Sequence, residues 1–326
     1  MKVTVLGAGA WGTTLARLLC RDAHAVTLWG HDAEHLQDVT RAGANERYLP
    51  GILLPRELRL EADLRRALAG GECVIVAVPS KGFAELARGL SECEDTLVSV
   101  TKGIEYETGL TMCGVLRASA PRARIVAFSG PTLAMEVARD MPTAIVAASD
   151  DPAAAQQVQQ LFHRPSFRVY TSADPLGVEL GGALKNVVAI AAGVGDGLGF
   201  GDNSKAALIT RGIVEMRRLG VACGAQPETF SGLSGLGDLT VTCYSRLSRN
   251  RGLGERLGRG DKLERVLTES IAIAEGYPTA RSAYQLARRL KVVTPIIDEV
   301  YQVLYEGKNV AKALQDLTSR ESKPED

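Results

Sequence analysis

The pattern of apolar and polar positions divides the chain just past its middle. From residue 1 to about 175, short apolar runs of strand length alternate with stretches of helical periodicity. The strand-like runs are 1–6, 25–29, 73–78, 97–100, 124–128, 143–147 and 167–170. Most are apolar at nearly every position, as expected of strands covered on both faces. Helical stretches between them predict a mostly parallel, doubly wound sheet with right-handed crossovers. The Ala-rich stretch 152–160 predicts a surface helix. Beyond Tyr170 every periodic stretch is helical, with helices expected near 175–193, 203–219, 277–290 and 295–305. A length of 326 residues suits two cores, giving domains at 1–175 and 176–326.

Between the first strand and the first helix lies Gly7-Ala8-Gly9-Ala10-Trp11-Gly12. A GxGxxG in that context is a dinucleotide-binding signature. Gly7 permits the tight turn, Gly9 lets the backbone approach a pyrophosphate, and Gly12 allows close helix–strand packing. The helix start supplies unpaired N–H groups and the positive end of its dipole. The fold class is thus an α/β Rossmann-type doubly wound sheet followed by an all-α C-terminal domain. The second strand ends Trp29-Gly30-His31-Asp32. His31 either meets the adenosine of a dinucleotide or sits in an exposed turn, and the choice between NAD and NADP stays open.

In doubly wound sheets, ligands sit at the carboxyl ends of the strands. Those ends carry Pro79-Ser80, Thr101-Lys102-Gly103 and Ser129-Gly130-Pro131-Thr132, which makes Lys102 a candidate ligand contact. At the change of regime stands Gly181-Gly182-Ala183-Leu184-Lys185-Asn186, a single lysine in an otherwise apolar helix. Such a lysine must reach a partner, a cleft or solvent, because an unpaired buried charge is costly. Two glycine-rich stretches follow. Residues 193–201, with five glycines, read as a mobile or tightly turned loop. Residues 232–240 read as a second loop, carrying Asp238, whose carboxylate needs a cation if buried. Ser248-Arg249-Asn250-Arg251-Gly252 gathers hydroxyl, guanidinium and amide donors suited to a phosphate.

Composition narrows the classes further. The net charge is zero and no long basic run occurs, which argues against a nucleic-acid surface. Six cysteines without CxxC spacing fit free thiols in a reducing cytoplasm. A strand pattern starting at residue 1 is expected to leave no room for a secretory leader. The longest apolar run, Val187–Val194, is too short to span a bilayer. The four histidines are not clustered at ligand spacing, so no metal is expected, and 321–326 reads as a short charged tail.

Across nearly its whole length the chain resembles bacterial NAD(P)-dependent sn-glycerol-3-phosphate dehydrogenases. The resemblance is carried by Gly7 to Thr13, Leu28 to Asp32, Thr101-Lys102-Gly103, Ser129 to Thr132 and Leu180 to Val187. It continues through Gly235 to Leu239, Ser248 to Arg251, Ala274 to Tyr277 and Tyr301 to Tyr305. It implies reversible reduction of dihydroxyacetone phosphate to sn-glycerol 3-phosphate with NADPH or NADH, feeding phospholipid synthesis, by a cytoplasmic homodimer. Lys185 is then the catalytic acid/base, assisted by Lys102 and Asp238. Implied substrate contacts are Lys102, Gly130, Thr132, Lys185, Asp238, Ser248, Arg249 and Asn250. Implied cofactor contacts, besides the glycine loop, are Ala10, Trp11, His31, Lys102, Ala134, Arg249, Ile273 and Glu275. The family often has Ser where this chain has Ala10, which leaves only a backbone contact there. Ile273-Ala274-Glu275 replaces the usual Val-Val-Glu. Two other readings share parts of the pattern: a dehydrogenase of the β-hydroxy-acid type, and a non-enzymatic NAD(P)H sensor. The first would need a carboxylate-binding site, against which Asp238 and Ser248-Arg249-Asn250 argue. The second would have no use for Lys185.

Overall fold

A computed structural model describes residues 1–22, 24–269 and 273–319, so the expected tail at 321–326 lies outside the described residues. The chain forms two compact units. The first comprises Met1–Glu105 and Leu110–Glu179; the second comprises Tyr106–Gly109 and the chain from Leu180 onward.

In the first unit the elements run β1 (Lys2–Leu6), α1 (Ala10–Cys20), β2 (Ala25–Trp29), α2 (Ala33–Ala42), β3 (Arg59–Glu61) and α3 (Leu64–Leu68). Then come β4 (Cys73–Val76), α4 (Ser80–Arg88), β5 (Thr96–Ser99), α5 (Met112–Ser119) and β6 (Arg124–Ser129). The series ends with α6 (Ala134–Ala138), β7 (Thr143–Ala148), α7 (Pro152–Phe162) and β8 (Phe167–Ser172). The strands form one sheet in the order β3-β2-β1-β4-β5-β6-β7-β8, parallel throughout except for the antiparallel β6–β7 pair. The order reverses at β1, where one half of the sheet winds one way and the other half the other. In such sheets that reversal is where ligands bind. All four residues of β4 and all four of β5 are buried, which explains their unbroken apolar runs. Phe128, Phe162 and Phe167 pack together in this core, the first two stacked 4.9 Å apart.

The sequence reading missed β3. It is a three-residue edge strand beside β2, too short to show periodicity.

The remaining elements are α8 (Pro175–Gly197), α9 (Asp202–Ala222), α10 (Asp238–Tyr244), α11 (Arg249–Gly258), α12 (Leu263–Glu269), α13 (Gly276–Leu290), α14 (Pro295–Tyr305) and α15 (Val310–Thr318). A 3₁₀ turn at Pro227–Ser231 and a π turn at Leu233–Gly237 precede α10. Among the described residues no strand follows β8, as the pattern predicts.

The loop expected at 193–201 is mostly helix. α8 runs on to Gly197, because its glycines serve packing rather than turning. A Cβ on Gly193 would lie 2.0 Å from Arg251 O, and one on Gly197 2.3 Å from Glu255 O. Reciprocally, a Cβ on Gly254 would lie 2.0 Å from Ile190 O, and one on Gly258 2.4 Å from Val194 O. Two pairs of glycines, each four apart, thus let α8 and α11 touch backbone to backbone. The expected loop at 232–240 is likewise corrected: Asp238 opens α10 directly after the π turn.

α8 is also longer than the apolar run read from the sequence. Its 23 residues would suffice in length and hydropathy to cross a bilayer, but 89% of its apolar window is buried within the protein.

Candidate active site

In the first unit the glycine loop is built by contacts that only glycine allows. Gly7 has φ +123°, and a Cβ there would lie 2.6 Å from Ala77 O. A Cβ on Gly12 would fall 2.0 Å from Gly7 O. Gly9 is different: a Cβ there would meet no protein atom within 4 Å. Packing does not require glycine at that position, whereas close approach of a pyrophosphate does. Gly9 is also the N-cap of α1, and α1 carries no acidic residue in its first turn. The N–H groups of Ala10 and Trp11 therefore begin a helix whose dipole suits an anion. The chain thus fits a dinucleotide at this loop.

Around it, Thr14 Oγ1 donates to Ala10 O at 2.8 Å and to Ala134 O at 3.2 Å, which fixes the start of α6 beside α1. His31 is exposed, with its ring centroid 6.5 Å from that of Trp29. Asp32, one residue on, caps α2 by accepting from His35 N at 3.0 Å, and it pairs with Arg47 at 3.7 Å. At the ends of β5 and β6, Lys102 Nζ donates to Gly130 O at 2.9 Å and to Thr132 Oγ1 at 3.3 Å. The structure therefore brings Lys102, from one strand end, to Gly130 and Thr132, from another.

The second unit holds the lysine. Lys185 Nζ donates to Asp238 Oδ1 at 2.9 Å and to Thr242 Oγ1 at 2.7 Å. The Thr242 hydroxyl in turn donates to Asp238 O at 2.6 Å. The two charged side chains are only 8% and 1% exposed, so the ammonium and carboxylate answer each other's burial. Asp238 meets its cation, as expected. Thr242 went unnoticed because 232–240 reads as a loop; on a helix it stands one turn after Asp238, on the same face.

Next to Lys185, Asn186 Oδ1 accepts from Asn250 Nδ2 at 2.8 Å, and Asn250 Oδ1 accepts from Gly276 N at 2.8 Å. This strut joins α8, the first turn of α11 and the start of α13. A Cβ on Gly276 would come within 2.6 Å of Asn186 O, so glycine is required there. Asn250, expected among the phosphate donors, uses its Oδ1 and one of its two Nδ2 hydrogens within this strut. Ser248 is the N-cap of α11, accepting from Arg251 N at 3.2 Å. Arg249 stands exposed in the first turn of that helix. Although part of the side chain is open to solvent, the protein packed around its guanidinium lowers its pKa from the ordinary value, while Glu275 raises it. Glu275 precedes α13, and Ile273 is 45% exposed. Arg251 faces inward, pairing with Asp196 at 2.6 Å and Glu255 at 3.1 Å, and Lys205 also binds Asp196 at 2.7 Å.

Comparison with known proteins matches this arrangement over the whole chain. The family profile described as the N-terminus of NAD-dependent glycerol-3-phosphate dehydrogenase covers residues 2–155, and that for the C-terminus covers 174–315. A glycerol-3-phosphate dehydrogenase [NAD(P)+] of Geobacter sulfurreducens is 50% identical over 99% of this chain and 98% of its own. One from Chlorobium phaeobacteroides is 46% identical over 100% and 99%. Among solved structures, the glycerol-3-phosphate dehydrogenase of Coxiella burnetii superposes with a TM-score of 0.95. It is 35% identical, covering 98% of this chain and 99% of that one.

Proposed function

The chain belongs to the NAD-dependent glycerol-3-phosphate dehydrogenase family, and on that premise we propose that it reversibly reduces dihydroxyacetone phosphate to sn-glycerol 3-phosphate with NADPH or NADH. The observation that carries the reading is the buried Lys185–Asp238–Thr242 cluster in a chain that also holds a dinucleotide loop.

When bound, the reduced nicotinamide supplies a hydride to the ketone carbon. Gly9, Ala10 and Trp11 would hold the pyrophosphate by backbone N–H groups, and His31 and Ala134 would supply further cofactor contacts. Ile273, Glu275 and Arg249 offer the second unit's cofactor contacts. As the carbonyl carbon gains the hydride, negative charge collects on its oxygen. Lys185 holds a proton at Nζ and passes it to that oxygen; in the oxidation direction it takes the proton back. Asp238 and Thr242 each fix one direction of the ammonium, so Asp238 orients it and balances its charge rather than activating it. In the first unit Lys102, with Gly130 and Thr132, presents a cation and a hydroxyl at the strand ends. In the second, Arg249 and the N-terminus of α11 behind Ser248 and Asn250 grip the phosphate. Grip on the phosphate at one end of a three-carbon substrate fixes the carbonyl on its central carbon. A homodimer in the cytoplasm, serving phospholipid synthesis, belongs to the same reading. The cysteines, all free, suit a reducing compartment.

The test is oxidation of NADPH and of NADH by dihydroxyacetone phosphate, with wild type and Lys185→Ala. Activity in the wild type that is lost in a folded, dinucleotide-binding Lys185→Ala supports the reading. Undiminished turnover in that variant would remove Lys185 from the chemistry.

A further inference from the structure

We propose that Asn45 is the positioning residue of the dinucleotide loop: its buried side-chain amide aims the loop's backbone N–H groups at the pyrophosphate. The inference rests on the dinucleotide reading of Gly7–Gly12 and goes beyond it, because Asn45 lies outside the glycine motif, more than thirty residues along the chain from its partners.

Asn45 is fully buried. Its Nδ2 donates to Ala8 O at 3.0 Å and to Thr13 Oγ1 at 2.8 Å. An amide nitrogen has two hydrogens to donate, and here both go to the loop, one to the residue before Gly9 and one to the first turn of α1. The oxygen end is tied to its own turn: Tyr48 N donates to Asn45 Oδ1 at 3.4 Å, while Leu49 N donates to Asn45 O at 2.7 Å. The turn is anchored in its turn by the antiparallel bridge between Ala44 and Leu53. Asn45 is thus a rigid bracket bolted to the segment after α2.

The effect on the loop follows from peptide geometry. The Ala8–Gly9 peptide is planar and trans, so its C=O and N–H point in opposite directions. Pinning the Ala8 carbonyl to Asn45 therefore turns the Gly9 N–H the other way. Gly9 is the residue whose Cβ side is open and which caps α1. The second bond, to Thr13, holds the first turn of α1 in register with the loop. Neither bond touches the Lys185 cluster, which belongs to the other unit.

The experiment compares wild type, Asn45→Ala, Asn45→Asp and Thr4→Val. Asn45→Asp keeps the shape but offers an acceptor where two donors are needed. Thr4→Val removes a different buried hydrogen bond of the same sheet, Thr4 Oγ1 to Ala67 O, and serves as a control for lost stability. ADP-ribose affinity is measured by calorimetry, the KM for NADPH and kcat at saturation by turnover, and Tm by melting. Both Asn45 variants should weaken ADP-ribose binding and raise the NADPH KM roughly tenfold, with kcat at saturating NADPH within about twofold of wild type. Thr4→Val should lower Tm without moving either constant. The proposal is overturned if either folded Asn45 variant binds ADP-ribose as wild type does, or if Thr4→Val weakens binding as much. Should Asn45→Ala fail to fold, Asn45→Asp decides by the same criteria. A wild-type protein that bound no ADP-ribose would overturn the dinucleotide reading itself, and the proposal with it.

Discussion

Lys185 and Asp238 stand 53 positions apart in the chain, yet their charged atoms meet at 2.9 Å in a nearly solvent-free place. Removing the carboxylate should therefore cost both stability and geometry. Asp238→Ala leaves a buried ammonium without its counter-charge, and unfolding titrations should show a loss of about 3–5 kcal/mol. Asp238→Asn keeps the shape and should fold, but its turnover should fall by roughly a hundredfold as the ammonium loses its orientation. Turnover near wild type in Asp238→Asn would show that the pairing is structural only.

Glycines in the dinucleotide loop should separate into two kinds. Gly12→Ala puts a Cβ against Gly7 O, so melting should show destabilisation of about 1–3 kcal/mol or more. Gly9→Ala meets no protein atom and should leave the Tm near wild type. It should nonetheless weaken dinucleotide binding roughly tenfold, the equivalent of about 1.4 kcal/mol. Equal losses of stability in the two variants would contradict the assignment of Gly9 to the ligand.

Glu215 on α9 gives a pH dependence with a definite sign. Its carboxylate accepts from Ile296 N at 2.9 Å and Ile297 N at 3.3 Å, capping α14. Desolvation nevertheless raises its pKa from 4.5 to about 7, with Asp298 adding to the rise and the two backbone N–H groups and Arg218 opposing it. The folded protein thus holds this proton more tightly than the unfolded chain. Its contribution is most favourable below pH 4.5, declines as pH rises to about 7, and is flat above that. Melting curves across that window should show the decline in wild type and a flatter profile in Glu215→Gln. An unchanged slope in the variant would place the titration elsewhere.

The strut Asn186–Asn250–Gly276 should govern substrate affinity. Gly276→Ala drives a Cβ into Asn186 O and to 2.9 Å from Asn250 Oδ1. Displacing the start of α11 should raise the KM for dihydroxyacetone phosphate roughly tenfold or more in a variant that still folds. An unchanged KM in the folded variant would show that the strut does not position the substrate site.

Much of this was legible in the sequence because burial writes plainly. β1, β4, β5 and β6 are covered on both faces, so their apolar runs could hardly be anything else, and the glycine motif sat between strand and helix. β3 left no trace because a three-residue edge strand has no room for a pattern. The glycines misled for a physical reason. Glycine serves equally for a backbone turn and for close contact between elements, and the letters do not say which. At 193–201 the second use prevailed in α8; the matching four-residue spacings at Gly193/Gly197 and Gly254/Gly258 were the available signal. The same misreading at 232–240 hid Thr242, and Asn45 carries no signature beyond being polar in a turn. Lys185 stood out for the opposite reason: a charge in an apolar helix has to be explained.

The glycine-on-glycine crossing of α8 and α11 has a consequence for what this chain can select. α8 carries Lys185 and α11 starts at Arg249, and at the four-glycine crossing the two helices meet main chain to main chain, braced by the Asn186–Asn250 and Asp196–Arg251 pairs. The spacing from Lys185 to Arg249, the proposed proton donor and phosphate grip, is therefore a ruler set by the backbone. A homologue of the substrate with one more carbon between carbonyl and phosphate would overrun that ruler, and no single side-chain substitution would lengthen it.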